Sequence, residues 1–170
     1  MKKLLITLFA ALLLSGCAAA PQANSEYSAE DINFAEMMIP HHEQAILMSD
    51  IALTNSISEE ILVLAQEIKD AQSPEIELMK SWTGVDSSTH MGHMMDGMLS
   101  ESQIQELRDS EGATFDRLFL EGMIAHHEGA IKMEQKVTGS ENKEGAALAT
   151  AIIEAQEKEI AFMRELIKFY

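Results

Sequence analysis

The chain has 170 residues, of which 46% are hydrophobic, and carries 28 acidic side chains against 12 lysines and arginines. Its net charge of −16 disfavours nucleic acid and anionic lipid surfaces as partners and favours cations. A single cysteine excludes an intrachain disulfide, and no segment shows the alternation of a half-buried strand.

Residues 1–16 read as an export signal. Lys2 and Lys3 form a basic start, and the apolar run Leu4–Leu14 is too short to span a bilayer. Leu14, Ser15, Gly16 and Cys17 look like a bacterial lipobox, which implies cleavage before Cys17 and its acylation. Ala18 after it favours the outer membrane in a diderm host. Loss of Lys2 and Lys3 leaves 28 acids against 10 bases, a net charge of −18. Residues 17–27 are small and polar, suiting a lipid-anchored flexible tether. Residues 28–170 suffice for one compact domain.

That domain repeats itself. A shift of 85 residues places His41-His42-Glu43 on His126-His127-Glu128, Met38 on Met123 and Met48 on Met133. A shift of 84 places Ala71–Met79 on Ala155–Met163. The first helix starts at the N-cap Ser28 and turns Phe34, Met38, His41, His42, Ala45 and Met48 to one side. Pro40 predicts a kink rather than a break, because Ala125 holds the same place in the second copy. The second helix, about Ser58–Trp82, completes the first hairpin (28–83). A His/Met-rich loop (84–99) follows. Ser100 and Gln103 then predict a capping box on a short helix that Gly112 ends. Two further helices, about Ala113–Val137 and Asn142–Phe169, form the second hairpin within 100–170. The expected fold is an all-α, ferritin-like antiparallel four-helix bundle built from a duplicated helical hairpin.

Four of the six histidines fall in the two matched pairs. Met37 and Met38 precede the first pair and Met123 the second, at spacings that bring side chains into contact. Met48 and Met133 lie two turns on. Gly122 replaces Met37, so the copies are unequal. Imidazole with thioether suits copper, especially soft Cu(I), rather than hard cations or zinc. The loop adds His90, Met91, His93, Met94, Met95 and Met98, six potential ligands within nine residues. Glu43 and Glu128 are candidates to orient a histidine from outside the ligand set. Gln72, Glu75, Gln156 and Glu159 are candidates for the same work from the partner helices.

The phrases MMIPHHEQAILM, HMGHMMDGM, FDRLFLEGMIAHHEGAIKM and AIIEAQEKEIAFMREL resemble the bacterial domain of unknown function 305 family. The resemblance covers about Ala29 to Phe169. It implies a ferritin-like fold in exported or membrane-anchored proteins, some associated with copper binding and tolerance in the periplasm. It also implies ligands among the His pairs, their neighbouring methionines and the His/Met loop. The expected function is a non-enzymatic lipoprotein that sequesters or transfers Cu(I), with no nucleic-acid partner. Two alternatives stand beside it: a structural or partner-binding envelope protein without metal, and a di-iron carboxylate oxidase. The second lacks the Glu-x-x-His motif, since Met38 and Met123 occupy the glutamate positions.

Overall fold

The computed structural model describes residues 27–170. The signal, Cys17 and nearly all of the tether lie outside the described residues. Among these the chain is all helical: α1 (Ala29–Asn55), α2 (Glu59–Ser81), α3 (Glu101–Asp109), α4 (Gly112–Glu134) and α5 (Lys143–Leu166), with a closing 3-10 turn at Ile167–Phe169.

Local chemistry sets most of the starts. Ser28 accepts from the Asp31 amide at 3.1 Å and returns its own amide to the Asp31 carboxylate at 2.9 Å. Ser100 and Gln103 form the same reciprocal box on α3, and Asn142 caps α5 through the Gly145 amide at 2.8 Å. Such caps contribute about 1 kcal/mol each. The α3–α4 junction differs from expectation. Helix α3 stops at Asp109, where Ser110 returns its amide and hydroxyl to the Leu107 carbonyl. Gly112 is then the first residue of α4 rather than the end of α3; its φ of +57° makes the sharp re-entry that a side chain disfavours. Pro40 lies within α1, and a second internal proline, Pro74, lies within α2; both helices continue through them.

Helix α1 packs on α2, α4 on α5, and the two hairpins meet through α1 and α4. Phe34, Met38 and Ile39 of α1 share a core cluster with Ala130 and Met133 of α4. Ala45, Met48 and Ala52 share the other with Phe115, Phe119 and Met123. The start of α1 thus lies beside the end of α4, so these helices are antiparallel, and each passes from one cluster to the other through its histidine pair. Tyr27, placed in the tether by sequence, belongs to the folded body. It is 6% exposed and stacks on Trp82 with ring centroids 4.6 Å apart, because an aromatic face there closes the end of the core.

Residues 95–99 form a strap that crosses the α1–α4 contact. Gln44 grips one end, accepting from the Leu99 amide at 2.7 Å and donating to its carbonyl at 2.9 Å. Lys132 holds the Asp96 carboxylate at 2.7 Å. The strap lies so close to α4 that two glycines are obligatory. A Cβ on Gly97 would sit 2.3 Å from the Ala125 carbonyl oxygen, and one on Gly129 would sit 1.9 Å from that of Asp96. Gly97 also has φ +82°.

Gly97→Ala and Gly129→Ala should each cost more than about 2 kcal/mol, because backbone rather than flexible side chain must yield. Gly92→Ala is the control: φ is +80° there too, but nothing lies within 4 Å, so only backbone strain of about 1–2 kcal/mol remains. Urea unfolding of the three variants measures the difference.

Candidate metal centre

The paired spacing that turns both histidines inward in sequence places His41, His42, His126 and His127 at 0% exposure in the middle of the protein. His41 and His126 meet across the α1–α4 contact as a tilted pair, with ring centroids 3.8 Å apart and planes inclined by 39°. Burial, followed by the neighbouring His42, pushes the His41 pKa down to about 3. Burial, followed by His41 and then His127, drives His126 well below its ordinary value. These two rings are neutral, with lone pairs available.

Their partners are few. His41 Nε2 lies 3.3 Å from the Asp96 carbonyl of the strap, and neither ring nitrogen of His126 has a hydrogen-bond partner. His42 Nε2 lies 3.0 Å from Glu75 on α2, and His127 Nε2 lies 2.5 Å from Glu159 on α5. The Nδ1 atoms of His41, His42 and His127 are buried and unpartnered. Glu43 and Glu128, expected to orient these rings, do not touch them. They pair at the surface with Lys80 at 3.0 Å and Arg164 at 2.5 Å, because each points off the helix face opposite its histidine neighbours. Gln72 and Gln156 are buried as expected but hydrogen-bond no imidazole; the Gln72 amide oxygen and both polar atoms of the Gln156 amide lack partners.

Thioethers flank the rings. Met38 and Met133 lie in the core cluster on one side of the histidines, Met48 and Met123 in the cluster on the other. Met37 is half-buried, and opposite its repeat position Gly122 admits Leu99 and the Met48 methyl. Among the described residues no three His, Cys, Asp or Glu side chains gather to hold a metal ion. The donors the clusters set beside imidazole are methionine sulfurs, and that set fits a soft ion. Orphaned neutral nitrogens are the observation that such an ion would satisfy.

The loop forms a separate, exposed group. His90 and His93 approach at 3.2 Å through their Nδ1 atoms, and Met91 and Met94 are 67% and 61% exposed. Met95 is partly buried, with its amide 3.5 Å from the Met98 sulfur. The strap joins this loop to the buried pair, so the structure brings the predicted ligands into two places rather than one.

Sequence reasoning missed Glu134. It is wholly buried, and both carboxyl oxygens lack partners. Burial first, then repulsion from Glu75, pushes its pKa up to about 9, so it is a neutral acid at pH 7. Its repeat mate is Ser49, also buried and unpartnered. The signal that locates both is a spacing of seven residues from His127 and His42, which returns to the same helical face.

The two shifts oppose one another in pH. His41 stays neutral when folded but protonates near 6.5 when unfolded, so stability falls as pH drops from 6.5 toward about 3. Glu134 keeps its proton when folded but ionises near 4.5 when unfolded, so stability falls as pH rises from 4.5 toward about 9. Thermal melts should therefore peak between these limbs. Glu134→Gln should flatten the alkaline limb, by up to about 1.4 kcal/mol per pH unit, and leave the acid limb in place.

Comparison with known proteins places this geometry in context. No curated protein matches the chain. Among solved structures, a DUF305 protein from Streptomyces coelicolor is 28% identical with a TM-score of 0.74, covering 81% of this chain and 91% of its own. CopM in its Cu(II)-bound form is 33% identical with a TM-score of 0.72, over 82% of this chain and 97% of its own. CopM in its Cu(I)-bound form is 30% identical with a TM-score of 0.66, over 81% and 95%. The model of the Domain of unknown function (DUF305) matches residues 31–167, and the chain belongs to that family.

Proposed function

We propose that this protein is a copper-binding lipoprotein of the cell envelope, holding Cu(I) through imidazole and thioether and sequestering it or passing it on. The observation that carries the reading is the buried His41–His126 pair, whose neutral rings keep nitrogens that nothing among the described residues satisfies. Four methionines stand in the clusters on either side. Relatives of similar fold have been solved with copper bound. Copper is cargo in this reading, so the protein is a carrier rather than an enzyme, contributing to copper tolerance, and its helices form a ferritin-like four-helix bundle.

Division of labour follows from exposure. The loop, with His90, His93, Met91 and Met94 open to solvent, captures the ion, and the acidic surface raises the local concentration of cations. The buried pairs hold it where water and competing thiols are excluded. Export and acylation at Cys17 place this capacity on the periplasmic face of a membrane. No helix among the described residues is long and apolar enough to cross a membrane.

Anaerobic titration with Cu(I) against a competing chelator tests the reading. The His41/His42/His126/His127→Ala variant should lose the tight phase, and Met38/Met48/Met123/Met133→Leu, which keeps core volume, should weaken it while circular dichroism stays helical. Equal weak binding by wild type and both variants sinks the proposal.

A further inference from the structure

We infer that His42 and His127 meet the metal ion through Nδ1, and that Glu75 and Glu159 are the positioning residues that present that nitrogen. This rests on the copper reading and specifies which atoms perform it. The argument begins with proton bookkeeping. A carboxylate oxygen serves a facing ring nitrogen as acceptor, so the contacts of His42 Nε2 to Glu75 and His127 Nε2 to Glu159 favour the ring proton on Nε2 in both cases. The Asp96 carbonyl likewise only accepts, and fixes the same tautomer in His41.

The other nitrogen is then decided by burial. Nδ1 of His41, His42 and His127 is enclosed and finds no partner among the described residues. A second proton there would be an N–H without an acceptor in a region from which water is excluded, an arrangement that folded proteins avoid. Each ring therefore offers an unprotonated Nδ1 to the interior. The repeat strengthens the inference: the two glutamates come from different helices, α2 and α5, yet reach the same nitrogen of equivalent histidines. Both carboxylates are 20% exposed on their side chains while the imidazoles are 0% exposed, so the glutamates approach from outside and Nδ1 is left to the inside. A carboxylate behind an imidazole also raises the basicity of the ligating nitrogen.

Silver(I), a diamagnetic soft ion, provides the probe, and long-range proton–nitrogen correlation spectra of the 15N-labelled protein provide the readout. Before silver is added, His42 and His127 should show the Nε2–H tautomer. On addition, their Nδ1 resonances should shift and Nε2 should keep its proton. Glu75→Leu and Glu159→Leu should abolish the tautomer preference of the facing ring and weaken silver binding by about 10- to 100-fold. Glu75→Gln, which retains an acceptor oxygen, should restore the tautomer and most of the affinity; a purely structural role predicts no such rescue of the nitrogen spectrum. An Nδ1–H tautomer in the metal-free protein, or silver bound at Nε2, overturns the inference and leaves the copper reading standing. Histidines that ignore both silver and copper overturn the two together.

Discussion

Burying four imidazoles at the meeting of two helical hairpins is the constraint on which the rest of the structure depends. Each buried polar atom without a partner costs on the order of 1–3 kcal/mol, and His126 alone carries two such atoms. The molecule offsets this with an apolar cluster on either side of the rings, each drawing on both hairpins. Antiparallel α1 and α4 are the geometry that allows it. They set His41 on His126 and let every long helix contribute to both clusters, so the hairpins cannot separate without opening the core.

Three of the eight imidazole nitrogens are met from outside the rings, and the manner of meeting them is unequal. Glu75 and Glu159 serve equivalent histidines, but His41 has the Asp96 carbonyl and His126 has no counterpart. Glu134 against Ser49, and Gly122 against Met37, extend the difference. Gly122 is not merely a lost ligand: its missing side chain leaves the space into which Leu99 and the Met48 methyl pack. One copy of the repeat has traded a methionine for a seat under the strap.

What sequence made legible was whatever depends on spacing within one helix. The inward direction of both histidine pairs, the caps at Ser28 and Ser100, and the matching of Met38 with Met123 all follow from helical periodicity. What it left open depends on contacts between elements. Glu43 and Glu75 are both candidates to orient His42, and spacing cannot choose between them: adjacent residues on a helix point about 100° apart, and the ring is bonded to Glu75, 33 residues away. The strap was equally hidden: Gly97 and Gly129 look like ordinary loop and helix glycines until the Asp96 carbonyl is found resting on α4. Gly112 misled for a related reason, since a left-handed residue can precede a helix as well as end one.

The features that weaken this protein are the ones that would let it hold a soft ion. Neutral, unpartnered nitrogens and a buried acid are poor contributors to stability, but a ligand that satisfies them in the folded state alone adds its binding free energy to folding. The strap brings the two demands together. It seals the His41–His126 pair from solvent through Asp96 and Gly97, and it is continuous with the exposed His90–His93 group. Under the copper reading, an ion passing from loop to centre would have to move past the Asp96–Gly97 segment of the strap, which Gln44 and Lys132 hold from outside the rings. Such entry would ask for a local shift of the strap rather than separation of the helices, which is compatible with a core as fully buried as this one.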